Sequence, residues 1–135
     1  MLLKIYFMKK IVFLSAILSL LISCNKTEGQ GGTSSIKGKI TVENYNGSGT
    51  LIATYPAEDE KVFIIYGSDN NTYSDKTTTS YDGTYRFDNL TPGTYKIYSY
   101  SKCSTCDSGQ EAVVVTVEIS SKKQVADAPE IIIKQ

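Results

Sequence analysis

Residues Tyr81–Ile97 read YDGTYRFDNLTPGTYKI, and this stretch predicts a turn, a strand, a second turn and a second strand. Asp82-Gly83 is a turn dipeptide, because glycine adopts positive φ without a steric clash at Cβ. Tyr85 and Phe87 then alternate with polar residues, which is the two-residue period of a strand with one buried face. The Thr91–Gly93 segment reverses the chain, and the alternation resumes after it. The stretch therefore predicts two strands, each with one buried face and each preceded by a turn.

Further segments of the same kind occur on both sides of this stretch, with turn signals about every 8–12 residues and no helical period after residue 23. The other predicted strands are Ile36–Glu43, Thr50–Tyr55, Lys61–Tyr66, Thr72–Ser80, Glu111–Ile119 and a last strand containing Ile131–Ile133. This pattern is typical of an all-β domain, and it predicts a seven- to eight-stranded antiparallel β-sandwich.

The N-terminal region has the features of an export signal. Lys9 and Lys10 precede an apolar run, residues 11–22, which is shorter than the about 20 residues of a membrane-spanning helix. The run ends in Leu21-Ile22-Ser23-Cys24, which resembles the lipobox of bacterial lipoproteins. The resemblance implies cleavage before Cys24 and lipidation of this cysteine. The alternatives are a plain secretory signal and an N-terminal anchor helix.

The predicted mature chain divides into two parts. Residues 24–35 are rich in glycine and serine and predict a lipidated flexible tether, and residues 36–134 form the predicted β-sandwich domain. Asn25 follows the cysteine where an aspartate would signal retention, so the segment resembles lipoproteins of the Gram-negative outer membrane. We therefore expect a cell-envelope location on the outer membrane, with the lipid as the membrane contact.

The composition disfavours several function classes. The chain has 14 basic and 14 acidic residues and no histidine. A chain cleaved before Cys24 would carry 11 basic and 14 acidic residues with a single arginine, Arg86, so we expect no nucleic-acid partner. Without histidine there is no common nucleophile–base pair, and the sequence has no phosphate-binding loop. We expect neither enzymatic activity nor a cofactor.

Three segments resemble carboxypeptidase regulatory-like domains, which are similar to transthyretin (prealbumin) and to collagen-adhesin B-type repeats. These segments are Ile36–Ile40, Lys61–Ile64 and Asp82–Ile97. The resemblance implies a Greek-key, prealbumin-like sandwich without catalytic residues. The chain departs from the family pattern at Asn44–Asp59, which predicts an added edge strand, and at Cys103–Gln110, which adds a cysteine pair to a loop.

Cys103 and Cys106 are the cysteines that remain if Cys24 carries lipid. In an exported, oxidising context the pair predicts a disulfide that closes a loop. The alternative is a redox or metal-handling accessory built on these two residues, although no βαβ unit surrounds them and a zinc site would need Asp107 and Glu111 in an unusual pattern.

Tyr98 and Tyr100 are expected to point away from the core if Tyr95 and Ile97 point into it. Two outward tyrosines on one strand can form an aromatic surface for a sugar or a protein partner, although tyrosine also occupies exposed strands through β-propensity alone. We therefore expect a non-catalytic binding or scaffolding module whose partner is an envelope protein or a glycan. A carbohydrate-binding accessory that uses the two tyrosines is the third interpretation.

Overall fold

The computed structural model describes residues 27–67 and 71–135. Within these ranges the chain forms nine strands and no helix. The strands are β1 (Gln30–Tyr45), β2 (Leu51–Pro56), β3 (Lys61–Tyr66), β4 (Asp75–Thr78), β5 (Thr84–Leu90), β6 (Gly93–Lys102), β7 (Gln110–Ile119), β8 (Val125–Asp127) and β9 (Ile131–Lys134). A search of the same residues for a helix long and apolar enough to cross a membrane found none.

The strands form two sheets, which confirms the predicted β-sandwich. In the first sheet β1 lies between β2 and β5, and β8 and β9 also pair with β1. The second sheet has the order β4-β3-β6-β7 and is antiparallel throughout. The predicted added edge strand is present as β2, which pairs antiparallel with the second half of β1.

Two details of the first sheet differ from the prediction. There are nine described strands instead of seven or eight, because Val125–Asp127 forms a short strand where the sequence predicts a turn. In addition, β8 and β9 run parallel to β1, whereas the sequence predicts an antiparallel arrangement. The parallel pairings arise because the chain returns from the second sheet and adds its last segments beside β1.

The core lies between the two sheets and consists of the apolar side chains at alternate strand positions. Its buried members are Ile36, Ile40, Val42, Ala57, Val62, Ile64, Tyr85, Phe87, Leu90, Tyr95, Ile97, Val117, Ile119, Ala126, Ile131 and Ile133. Burial of each large aliphatic side chain contributes about 1.5–3 kcal/mol, so these rows are the main source of stability.

The predicted tether, residues 24–35, requires a correction. Residues 1–26, including the predicted signal peptide and Cys24, lie outside the described residues, but β1 already begins at Gln30. Gly32 has a structural role in this segment, because a Cβ atom there would collide with the carbonyl group of Leu90. Ser35 is buried and accepts a hydrogen bond from the guanidinium group of Arg86 at 2.8 Å. Gly32 and Ser35 therefore serve close packing at the start of β1, and Gln30–Ser35 is not a flexible tether.

The hydroxyl group of Tyr95 joins the start of the described chain to the turn between β5 and β6. It donates a hydrogen bond to the carbonyl oxygen of Thr91 at 2.6 Å and accepts one from the backbone N–H of Gly29 at 3.2 Å. The backbone N–H of Thr91 in turn donates to the carbonyl oxygen of Gly29 at 2.9 Å. Because Tyr95 is fully buried, these bonds are made away from water, where an unpaired polar group is costly.

Tyr85 is also buried but in a different environment. Its ring covers Gly38, the residue opposite it on β1, and a Cβ atom at Gly38 would overlap the ring and hydroxyl group. The hydroxyl group of Tyr85 has no hydrogen-bond partner among the described residues. Burial raises the pKa of Tyr85 to about 12, so the group is protonated at neutral pH.

The two tyrosines give a matched pair of variants. We expect Tyr95→Phe to lower the free energy of unfolding by about 1–3 kcal/mol, because it leaves the N–H of Gly29 without its buried acceptor. We expect Tyr85→Phe to change it by less than about 0.5 kcal/mol or to raise it, because that hydroxyl group makes no bond. Urea denaturation followed by circular dichroism measures both. An equal loss of stability in the two variants would contradict this account.

Candidate functional site

The outer face of the second sheet carries an unusual set of side chains. Side chains alternate between the two faces of a sheet, so residues next to buried ones point outward. On β3 and β6 the buried Ile64 and Ile97 lie opposite each other and face the core. Their neighbours Phe63 and Tyr98 are also opposite each other and face away from the core.

Four aromatic residues form a continuous cluster on this outer face, which we call the aromatic platform: Phe63, Tyr73, Tyr98 and Tyr100. The rings of Phe63 and Tyr98 are stacked, with centroids 5.0 Å apart and an interplanar angle of 17°. Tyr73 contacts Phe63 at a centroid distance of 5.1 Å. Tyr100 meets Phe63 and Tyr98 edge-on at 5.8 and 5.6 Å. Both geometries are favourable for aromatic pairs, so the rings hold one another in place.

The platform remains open to solvent. Tyr73 and Tyr100 expose 45% and 44% of their surface, and Val114, which pairs with Tyr98 on β7, exposes 51%. Burial raises the pKa of Tyr98, and the neighbouring Tyr100 adds to the shift, so this hydroxyl group stays protonated at neutral pH. The surface therefore combines apolar ring faces with hydroxyl groups that donate hydrogen bonds. Contiguous exposed apolar patches are a common feature of binding surfaces, so the platform is the candidate site.

The loop between β6 and β7 contains the cysteine pair. Cys103 and Cys106 form a disulfide with a Cα–Cα distance of 5.4 Å. Two backbone hydrogen bonds, each of 2.9 Å, close the rest of the loop. The N–H of Cys103 donates to the carbonyl oxygen of Gly109, and the N–H of Gly109 donates to the carbonyl oxygen of Cys106. The predicted disulfide is therefore present.

The alternative role of the cysteine pair has a geometric basis as well. The two sulfur atoms and a carboxylate oxygen of Glu111 all lie within 4.8 Å of one another. Asp107 is not part of this group. A metal ion requires deprotonated thiols, so the group can bind one only after reduction of the disulfide.

A shallow cleft of about 550 Å³ lies where β1, β6 and β9 end, and Tyr45, Lys102 and Lys134 contribute to its lining. The ammonium group of Lys134 lies 5.9 Å from the ring centroid of Tyr45. The hydroxyl group of Tyr45 donates to the carboxylate of Glu43 at 2.7 Å. We assign the cleft no function.

Comparison with known proteins places this sandwich in a family. The family of BOS complex subunit NOMO1-like second β-sandwich domains matches residues 34–133. The chain belongs to this family. The match begins and ends close to the predicted domain limits, residues 36 and 134. The resemblance to carboxypeptidase regulatory-like domains remains a prediction.

Other comparisons add little to the assignment as a NOMO1-like domain. A crystal structure of a candidate carbohydrate-binding protein from Pseudomonas aeruginosa aligns with 79% of this chain and 91% of its own, at 18% sequence identity and a TM-score of 0.48. At this level the alignment carries no argument about function. A search of curated proteins found no significant match.

The structure assembles the platform from residues that are distant in sequence. Tyr98 and Tyr100 lie on the outer face of this NOMO1-like domain, and their role in binding remains a prediction. Sequence reasoning missed the other two members. The alternation on β3 places Phe63 on the face of the strand away from the buried residues, but no local sequence feature indicates that β3 pairs with β6. Tyr73 precedes β4 in a turn and has no periodic signal.

Two cysteine substitutions test the role of the disulfide. We expect Cys103→Ser with Cys106→Ser to lower the free energy of unfolding by about 2 kcal/mol or less, because the bond closes a very short loop. We also expect the disulfide to resist millimolar glutathione, measured by thiol titration of a Cys24→Ala chain so that only this pair reacts. A disulfide that glutathione reduces readily, with unchanged stability, would instead favour the redox or metal-handling role.

Proposed function

We propose that this chain is a non-catalytic, lipid-anchored envelope module that binds a saccharide on the aromatic platform. The observation that carries the proposal is the cluster of four outward rings in the middle of the second sheet, with Tyr73 and Tyr100 open to solvent. A sugar ring presents a face of C–H bonds that packs against aromatic rings, while its hydroxyl groups bond to polar groups at the edge. Tyrosine supplies both kinds of contact.

The position of the platform also supports binding. Phe63 lies on β3, which is paired with β4 on one side and β6 on the other, and Tyr98 lies on β6, paired with β3 and β7. Both strands are therefore fixed along both edges, and the inner faces of the same strands are packed into the core. Rings held in this way lose little further freedom when a ligand binds, which favours affinity.

The anchoring part of the proposal is supported by the sequence features before Cys24 and by the disulfide, which is typical of exported proteins. The described chain begins beside the β5–β6 turn, where Thr91 bonds to Gly29. Tyr100 lies five residues beyond Tyr95 along β6, about 17 Å farther along the strand. A lipid at Cys24 would therefore hold the domain by the end opposite to Tyr100 and the disulfide loop.

Two tyrosine substitutions test the platform. We expect the purified domain to bind polysaccharides weakly on a glycan array and in affinity gel electrophoresis. We expect Tyr98→Ala with Tyr100→Ala to weaken that binding at least tenfold, equivalent to about 1.4 kcal/mol, through loss of the packing surface. Tyr81→Ala is the matched control, because Tyr81 is 81% exposed in the turn before β5. Binding unchanged by the double substitution would exclude the platform.

A substitution at Cys24 tests the anchor. In intact cells, we expect the chain to fractionate with the outer membrane and a Cys24→Ala variant to leave the membrane fraction. Protease treatment of whole cells then reports which side of the outer membrane displays the domain. Unchanged fractionation of Cys24→Ala would contradict lipid anchoring and leave the saccharide proposal standing.

A further inference from the structure

Four lysines lie on the same outer face as the aromatic platform. We call them the lysine fringe: Lys61, Lys76, Lys96 and Lys102. Lys76 on β4 is the direct cross-strand partner of Phe63. Lys61 is two residues before Phe63 on β3 and therefore shares its face.

The remaining two lysines extend the fringe along β6. Lys96 precedes Tyr98 by two residues and Lys102 follows Tyr100 by two residues, so all four side chains leave the same face of the strand. Lys96 and Lys102 are six residues apart, or about 20 Å along the strand. The charged groups therefore flank the platform on its β3–β4 side and at both ends along β6, and they extend farther than one sugar ring.

The positive charge of Lys61, Lys76 and Lys102 has little compensation on the outer face. Among the outward-facing residues of strands β3, β4, β6 and β7, one is acidic, Glu118. It pairs with Thr94, at the end of β6 opposite to Lys102. Lys61, Lys76 and Lys102 belong to neither of the described ion pairs, Lys37–Asp127 at 3.2 Å and Arg86–Asp88 at 2.6 Å, and both of these pairs lie on the first sheet. Over the whole chain acidic and basic residues are equal in number, so the excess of lysine is specific to this face.

We infer that the ligand is an acidic polysaccharide whose carboxylate or sulfate groups pair with the lysine fringe while its rings pack on the aromatic platform. The inference rests on the proposed saccharide function and adds the ligand's charge and chain length. Lysine suits a flexible chain of separated anionic groups, because its ammonium group is a mobile point charge on a long stem. A nucleic acid is disfavoured, because no arginine lies on the strands of this face and the chain has no net positive charge.

The test uses ligands that differ only in charge. Polygalacturonate and hyaluronan are each compared with their methyl esters by affinity gel electrophoresis of the whole domain at two salt concentrations, with single-stranded DNA as a second anion. We expect at least one acidic polymer to bind at least tenfold more tightly than its ester. We expect added salt to reduce the difference, since screening weakens exposed charge pairs.

Two triple lysine variants distinguish the effect of charge on this face from the effect of the net charge of the chain. We expect Lys61→Gln, Lys76→Gln and Lys102→Gln together to remove the preference for the acidic polymer while weak binding of the ester persists. The control triple variant, Lys37→Gln, Lys39→Gln and Lys122→Gln, lowers the net charge equally outside this face and should retain the preference.

Four results would overturn the inference. Equal binding of acid and ester forms would exclude the charge requirement and leave the saccharide proposal intact. An equal effect of the two triple variants, or tighter binding of DNA than of either polysaccharide, would show that attraction is not specific to an acidic glycan on this face. Binding of none of the polymers would overturn this inference, and the glycan array then decides the saccharide proposal separately.

Discussion

The backbone hydrogen bonds of β1 are the constraint on which the rest of the sandwich depends. The first half of this 16-residue strand pairs with β5 on one edge and β8 on the other, and the second half pairs with β2 and β9. Each partner thus obtains its position in the first sheet from β1. The side chains of Ile36, Ile40 and Val42, at alternate positions of β1, enter the core. Gly38 occupies the remaining position of this series and has no side chain. Gly38 leaves room for Tyr85, so even the gap in the row is filled by the opposite strand.

The local parts of the fold could be predicted from the sequence, and the non-local parts could not. The alternation of apolar and polar residues correctly predicts the strands β5 and β6 and their buried side chains, because successive side chains of a strand point to opposite faces. The parallel strand β8 has just three residues, and Val125–Asp127 carries no signal that distinguishes it from a turn. Similarly, the glycines before Ser35 suggest flexibility from composition alone. Only the approach of Leu90 shows that Gly32 is required for close packing.

The candidate site shows the same division between local and distant information. The outward direction of Tyr98 and Tyr100 follows from the burial of Tyr95 and Ile97, and the sequence contains that information. Their neighbour Phe63 comes from a strand more than thirty residues away, and the register between β3 and β6 brings it opposite Tyr98. Lys76 reaches the same row by a further pairing. The charge of the surface is therefore a property of the sheet as a whole, and no single segment carries it.

The parallel pairing of β1 with β9 has a mechanical consequence. Ile40 pairs with Ile131 and Glu43 with Lys134, so the start of β1 and the end of β9 lie at opposite ends of the pairing. Tension between these two points slides the strands along each other, and the evenly spaced hydrogen bonds of a parallel pair bear the load together. In a hairpin pulled open from one end, the bonds would break one after another. We therefore expect the β1–β9 pair to resist a force applied along its strands.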